Sequence, residues 1–337
     1  MSPTTTASRP GRDSHARWEG EELLLRVAWF YYKDELTQDE IARRLSLSRA
    51  SVGRMLDRAR KVGLVSISLN TEYLNAFELS GRLRETFGLR EALVVPDYES
   101  EPDDRAALNT RLGRGGAQFL STHLRPGTSL GIGWGDTVGR AVNAMNFGSI
   151  GPIQLVTLTG GVEGYLHTLL SSRGEPEGGG ADESRVAVIP APIVASTSTL
   201  AAALRSEPAI QQVLKRGHDA DMALVGVGTP TDDATIVQMG YMSAEDGARF
   251  RAKGAVGDIL GQFFDIHGKV LALPIHRRRI GIELRDLRDI PTVVGVAGGL
   301  HKCEGILGAL HGKFLNVLIT NELVANRLLT MEAAYKR

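Results

Sequence analysis

Residues Leu36-Thr-Gln-Asp-Glu-Ile-Ala-Arg-Arg-Leu45, Ser46-Leu-Ser48 and Arg49-Ala-Ser-Val-Gly-Arg-Met-Leu-Asp-Arg-Ala-Arg-Lys61 read as two short helices joined by a tight turn. Thr37 can cap the first helix, and Glu40 completes a capping box. Ile41, Ala42 and Leu45 then face inward, with Ala42 small where the second helix must cross. Leu47 plugs the turn, Ser48 caps the second helix, and Val52, Met55 and Leu56 form its apolar face. Ser46 stands in the turn where glycine is commonest. A two-helix unit this compact is the standard way to seat a helix in the major groove.

The outward face agrees. Between Arg43 and Lys61 stand seven basic residues against one acid, Asp57. Arg49, Ala50, Ser51 and Arg54 occupy the N-terminal end and exposed face of the second helix, where base edges are met. Arginine reads guanine bidentately and alanine touches a thymine methyl. Arg43, Arg58, Arg60 and Lys61 suit phosphates, which set register without reading sequence. With Thr37, Gln38 and Ser48 at the helix starts, these residues form the expected contact surface for double-stranded DNA.

Downstream, Gly63 stops the second helix, and the apolar-polar alternation over Leu64–Leu69 predicts a small wing. Upstream, Leu24, Val27, Ala28 and Tyr31 predict a helix over Glu21–Tyr32. Trp29, Phe30, Tyr31 and Tyr32 fall within that periodicity, so they are expected in core and dimer contacts rather than as a base-stacking platform.

The chain has 337 residues and no net charge, unevenly spread: residues 1–70 carry 12 Lys+Arg and 9 Asp+Glu. Basic charge confined to one small region suits a sequence reader and not a protein that coats nucleic acid. Cys303 is the single cysteine, which excludes an intrachain disulfide and a Cys-rich metal site; no cofactor is expected. No stretch reaches the roughly 18 apolar residues of a membrane span. The first 18 residues lack an apolar signal core and are read as a disordered tail of a cytoplasmic protein.

A helix over Phe77, Leu79, Leu83 and Phe87 follows. Short apolar runs then alternate with helical stretches: Ala92–Val95, Ser129–Gly133, Ile153–Leu158, Arg185–Ile189, Met222–Val227, Lys269–Leu273, Val293–Ala297 and Asn316–Thr320. That alternation predicts a mostly parallel α/β domain. The Gly-rich stretch Arg173–Gly180 is expected to be a surface loop. The expected organisation is a tail (1–18), a winged helix-turn-helix (19–70), a linker helix (71–90) and a larger, doubly wound α/β effector domain (91–337).

Five strand ends carry glycine alike: Gly131-Ile-Gly-Trp-Gly-Asp-Thr137, Thr159-Gly-Gly161, Gly226-Val-Gly-Thr229, Gly254-Ala-Val-Gly-Asp258, and Gly298-Gly299 before Lys302. Ligands of open α/β sheets bind beyond the carboxyl ends of strands, where glycine admits them to the backbone and helix N-termini attract anions. Gly133, Gly135, Gly160, Gly161 and Gly228 are therefore candidates for a shared site for a polyhydroxylated or phosphorylated ligand. Asp136 and Asp258 can accept from sugar hydroxyls, Thr137 and Thr229 can donate to phosphate, Lys302 supplies a point charge, and Trp134 offers an apolar face.

In residues 36–45, in Gly131-Ile-Gly-Trp-Gly-Asp-Thr137, in Gly254-Ala-Val-Gly-Asp258 with Phe263-Phe-Asp-Ile-His-Gly268, in Val296-Ala-Gly-Gly299 with Lys302, and in Leu318-Ile-Thr-Asn-Glu322, the chain resembles the sorbitol-operon (SorC) type of bacterial transcriptional regulator. This type is also described as deoxyribonucleoside-regulator-like. The resemblance runs from about residue 20 to the C-terminus. It implies a C-terminal domain like ribose-phosphate isomerase and glucosamine-phosphate deaminase, retained as a sensor of a sugar, sugar phosphate or polyol, in a homodimer or homotetramer. It also implies that Gly133, Gly135, Asp136, Thr137, Gly160, Gly161, Asp258 and Lys302 line the effector site. Asn321 departs from the pattern, since relatives commonly carry Asp there.

The expected function is effector-controlled transcriptional regulation of carbohydrate genes. The alternative is a sugar-phosphate isomerase or deaminase with an appended DNA reader, for which Asp136, Asp258, His301 and Glu304 are the nominees for acid and base.

Overall fold

The computed structural model describes residues 12–65, 71–97, 104–161 and 186–336. The chain divides into two compact units, Met1–Asn70 and Thr71–Arg337.

The first unit is built on three helices, α1 (Arg12–Tyr32), α2 (Gln38–Leu45) and α3 (Arg49–Lys61). The Thr37/Glu40 capping box forms in full, and Ser48 caps α3 by accepting from the Ser51 N–H. Val27, Ile41, Ala42, Val52 and Leu56 make the core, with Leu45, Leu47 and Met55 against it. Ser46 ends α2 in the left-handed conformation at φ 54, which explains why glycine suits this position. Helix α1 begins at Arg12, inside the stretch read as a tail. Its Trp29, Tyr31 and Tyr32 are exposed, whereas Leu24, Val27 and Ala28 are buried. The predicted wing is not a strand at Leu64 and Val65; Ser66 to Leu69 lie outside the described residues.

The second unit opens with α4 (Thr71–Phe87). This helix is no free linker: Ala76, Leu79 and Leu83 sit in the main core of the unit. Phe77 of the same helix is 78% exposed, because residues 77 and 79 cannot share one helical face. A seven-stranded sheet follows, composed of β1 (Glu91–Val95), β2 (Ser129–Ile132), β3 (Gln154–Thr157), β4 (Val186–Ala187), β5 (Met222–Gly226), β8 (Thr292–Val296) and β9 (Val317–Asn321). Every pairing is parallel and the order is β1-β9-β8-β5-β2-β3-β4. Successive strands step outward in opposite directions from the β2/β5 boundary, so that boundary is the topological switch point.

The helices between them are α5 (Arg105–His123), α6 (Asp136–Ala144), α7 (Ser198–Ser206), α8 (Pro208–His218), α9 (Thr235–Gln238), α10 (Ala244–Ala252), α11 (Pro274–Arg278), α12 (Cys303–His311) and α13 (Glu322–Tyr335). Apolar residues pack as two clusters, one holding Leu112, Leu120, Val138 and Val142 of α5 and α6, the other Leu307, Leu310, Val324 and Leu328 of α12 and α13. Helices on both sides of a parallel sheet make the fold doubly wound α/β.

Gly257 and Asp258 do not end a strand of the main sheet; they open a separate hairpin, β6 (Gly257–Ile259) with β7 (Gln262–Phe264). Leu260 and Gly261 turn it at φ 53 and 74, the geometry a two-residue hairpin needs. Lys269–Leu273 is not a strand either, since Lys269 is folded back on Asp265 and only Val270 bridges Phe264. The Gly-rich Arg173–Gly180 lies outside the described residues, as does Arg185 of the predicted fourth strand.

Candidate functional site

A cavity of about 710 Å³ lies beyond the carboxyl ends of β2 and β5, at the switch point. Its floor comes from the two diverging loops, Trp134–Thr137 after β2 and Gly226–Thr229 after β5. Asp258 and Leu260 of the hairpin and Lys302 after β8 close one side. Arg105 and Asn109 of α5 and Arg140 of α6 close another, and α9 with Met239 forms an apolar wall. The hairpin is tied to the β5 loop by reciprocal bonds, Gly228 N–H to Asp258 O at 2.9 Å and Asp258 N–H to Gly228 O at 3.1 Å. A Cβ on Gly228 would fall 2.1 Å from Asp258 Oδ1, so only glycine lets that carboxylate lie against the loop.

The charges are arranged unequally. Lys302 is nine-tenths buried, and among the described residues its ammonium makes no hydrogen bond or close ion pair. Burial, reinforced by Arg105, pulls its pKa down to about 8 against the pull of Asp258, Asp136 and Asp233. Burial lifts Asp258 to about 6, although the Gly261 N–H, donating at 3.1 Å, and Lys302 favour its ionised form. Asp136, by contrast, is held by its neighbours: Arg140 Nε donates to both oxygens at 2.9 and 3.1 Å, and Asn109 donates at 2.7 Å. Arg140 also reaches Thr110, and Arg105 pairs with Asp233 on the loop leading to α9.

Of the residues expected at this site, Trp134, Gly135, Asp136, Thr137, Gly161, Gly228, Thr229, Asp258 and Lys302 line the cavity. Gly133 and Gly160 do not. A Cβ on Gly160 would lie 2.0 Å from the Ala191 carbonyl oxygen, and one on Gly133 would press on Leu260 and the Leu224 carbonyl. Gly160 admits backbone, and Gly133 admits backbone and the Leu260 side chain. The Thr137 hydroxyl is committed to the Val296 carbonyl, so it is not the free phosphate donor expected, and the Thr229 hydroxyl pairs with that of Thr231 at 3.0 Å. Trp134 is both core and wall, packed edge-on to Tyr241 while facing the cavity. His301 and Glu304 are exposed and outside the lining. Cys303 is buried and its thiol is raised to about 11 by that burial, which makes it a poor nucleophile.

Arg105, Asn109 and Arg140 were not singled out from the sequence. They lie on polar helix faces that look like ordinary solvated surface. Their approach depends on α5 and α6 packing so closely that a Cβ on Gly113 would meet Arg140 Cβ at 2.7 Å.

Residues 71–330 match the family model Sugar-bind, described as "Putative sugar-binding domain". The transcriptional regulator LsrR of Klebsiella pneumoniae is 39% identical over 317 residues, covering 92% of this chain and 94% of its own length. The full-length sorbitol operon regulator SorC of the same species aligns at TM-score 0.63 and 26% identity, over 92% of this chain and 99% of that one. The chain belongs to the SorC family of sugar-binding transcriptional regulators. A DeoR family transcriptional regulator from Listeria monocytogenes has the same α/β architecture, with TM-score 0.64 and 29% identity over 75% of this chain and 99% of its own.

As a SorC-family member this is a sugar-responsive transcription regulator, and the helix-turn-helix surface shows which expected DNA contacts are free. Arg43, Arg49, Ala50, Arg54 and Arg58 are exposed. Arg49 lies 3.7 Å from Asp39, and Arg54 donates to the Ser51 hydroxyl. Thr37 and Ser48 are spent on capping, Gln38 and Ser51 are half-buried, and Arg44 stacks over Phe30 at 4.5 Å. No helix among the described residues is long and apolar enough to cross a membrane.

Proposed function

We propose that the effector is a phosphorylated sugar or polyol, bound in the switch-point cavity. The observation that carries this reading is Lys302, a buried ammonium without a close partner among the described residues, facing a cavity that Arg105 and Arg140 also line. A dianionic phosphate ester offers such a lysine the charge it lacks, and the α6 N-terminus after Gly135 adds backbone N–H groups. Asp258, Asn109 and Thr229 supply hydrogen-bonding atoms for hydroxyls, and Trp134, Leu260 and Met239 an apolar wall. The volume fits a small ligand with several waters.

On the DNA side, two copies related by a two-fold axis present the α3 helices to half-sites about one helical turn apart, or a multiple of it. The effector acts only through its differential affinity for the DNA-binding and non-binding arrangements of the oligomer. Arg49, Ala50, Ser51 and Arg54 are the base readers and Arg43 and Arg58 fix register on phosphates, while Thr37 and Ser48 serve that surface by capping α2 and α3, with Gln38 in the first turn of α2. The reading is of a sensing cavity: of the four acid-base nominees His301 and Glu304 stand outside it, and of the two that line it Asp136 is held by Arg140 and Asn109.

The test is thermal unfolding of the protein against sugars, polyols and their phosphates. A ligand at 100 times its dissociation constant adds about 2.7 kcal/mol to the folded state. Stabilisation confined to phosphorylated compounds supports the reading; stabilisation by free polyols alone removes the phosphate. Turnover of a bound phosphate ester removes the sensing-only role.

A further inference from the structure

The loop carrying Lys302 leaves β8 through Gly298 and Gly299, and both glycines lie against one side chain. A Cβ on Gly298 would fall 2.6 Å from Asn321 Oδ1, and the Gly299 N–H donates to that same oxygen at 3.2 Å. Gly299 has φ 92, a conformation side-chain-bearing residues rarely adopt, and it stands three residues before Lys302.

Asn321, the last residue of β9, is buried, and its amide nitrogen donates to both carboxylate oxygens of Asp97 at 2.9 and 3.0 Å. This fixes the polarity of the amide. Flipped, its oxygen would face a carboxylate and its NH₂ group would face an N–H. Asp97 is anchored in turn. It accepts from the Leu323 N–H at 2.8 Å, and its own N–H donates to Glu322 at 3.1 Å; the other Glu322 oxygen accepts from Asn75 of α4 at 3.1 Å. Asp97 does not line the cavity.

We propose that Asp97 is a positioning residue for the effector site: through Asn321 it holds the Gly298–Gly299 turn in the geometry that aims Lys302 into the cavity. The proposal rests on the reading of Lys302 as an effector contact. An amide at 321 bridges an N–H and a carboxylate with only one polarity, so the pair is complementary and can be inverted. Asn321→Asp alone sets two carboxylates face to face, so that one must take up a proton or swing away, and the Gly299 bond loosens as the side chain at 321 withdraws from Asp97. In D97N/N321D the carboxylate stands at position 321 and the amide at position 97. That carboxylate accepts from both the Gly299 N–H and the facing amide, whose own oxygen still accepts from the Leu323 N–H.

Calorimetric titration with the sugar phosphates that stabilise the wild type reads this directly. N321D is expected to weaken binding about tenfold or more, and D97N/N321D to return it to within about threefold of wild type. A residue that matters only for stability would lower the melting point of the variants without this loss and rescue of affinity. Unchanged affinity in N321D, or a double variant that binds no better than N321D, overturns the proposal. Should N321D fail to fold, D97N, which brings no like charges together, takes its place, and wild-type affinity there overturns the proposal equally.

Should the wild type bind no sugar phosphate, it is the reading of the effector that fails. Positioning is then followed without ligand, from the ¹³C-methyl resonance of reductively methylated Lys302, assigned by its loss in K302R. Its titration midpoint should move in N321D and return in the double variant; an unmoved midpoint overturns the positioning role.

Discussion

The Thr137 hydroxyl, in the first turn of α6, donates to the Val296 carbonyl oxygen at the end of β8, 3.0 Å away and shielded from water. The strands these residues follow or end are not neighbours, for β5 lies between β2 and β8. The bond passes over the end of β5 beside Gly226, where a Cβ would lie 3.6 Å from the Thr137 oxygen, in ordinary contact. It therefore pins the floor of the cavity to the strand that leads into the Lys302 loop. Thr137→Val keeps the shape and removes the donor, leaving a buried carbonyl short of a partner. The expected loss is about 1–3 kcal/mol in urea unfolding, with Thr137→Ser retaining most of the stability. Equal stability of the Val variant would show that the bond contributes nothing net.

Effector affinity should depend on pH at both ends. Lys302 titrates near 8 and Asp258 near 6. A phosphate needs the ammonium, and a sugar hydroxyl is best accepted by the ionised carboxylate, so affinity rises through about pH 6 and falls above about 8. Phosphate esters also lose their second proton near pH 6, so Asp258→Asn is the control: it flattens only the part of the acid limb that Asp258 owns. Lys302→Met removes the alkaline limb together with most of the affinity. A profile flat from pH 5 to 9 in titration calorimetry would sink both assignments.

The same two groups set the sign of stability against pH. The folded pKa of Lys302 is depressed, so the charged form disfavours folding below about 8, and stability is gained as pH rises from about 8 towards 10.5. The folded pKa of Asp258 is raised, so its contribution is fully present below 3.8 and lost as pH climbs through about 6. Lys302→Met should therefore melt at or above the wild-type temperature at pH 7, while binding effector poorly. A lower melting point would mean that the ammonium is stabilised by the protein.

Ser46 ends α2 at φ 54, where a side chain is strained and glycine is not. Ser46→Gly is expected to stabilise the protein by about 0.5–1 kcal/mol at this already left-handed position. Thermal melts of the two proteins decide it, and a destabilised variant would mean that the Ser46 side chain contributes more than its backbone strain costs.

On operator DNA, Arg54→Ala and Arg58→Ala should separate the two kinds of contact. Arg54, at the exposed N-terminal half of α3, is expected to cost about 1–3 kcal/mol and to relax preference at one base pair. Arg58, a turn further on, is expected to weaken all sequences alike and reduce the salt slope by about 1. Anisotropy titrations on matched and mutated sites at two salt concentrations distinguish them, and identical profiles for the two variants would remove the assignment.

The sequence by itself determined the helix-turn-helix, because everything that builds it is local. The capping box joins Thr37 to Glu40, the Ser48 cap joins Ser48 to Ser51, and the core of α2 and α3 follows from helical spacing alone. It also determined that the rest is a parallel α/β layer with a glycine-lined cavity at the strand ends, since strand-helix alternation and glycine punctuation are properties of short windows. What a glycine is for was not legible. Gly228 admits the Asp258 carboxylate and Gly160 the Ala191 carbonyl, and the difference lies in whatever the fold places opposite. Only the tertiary structure decided the charges of the cavity. Arg105 and Arg140 look like solvated residues until α5 meets α6 at Gly113, and Asn321, behind the loop that leads to Lys302, finds its partner in Asp97, 224 residues earlier in the chain. Packing and hydrogen bonding across such separations depend on strand order, which no local pattern specifies.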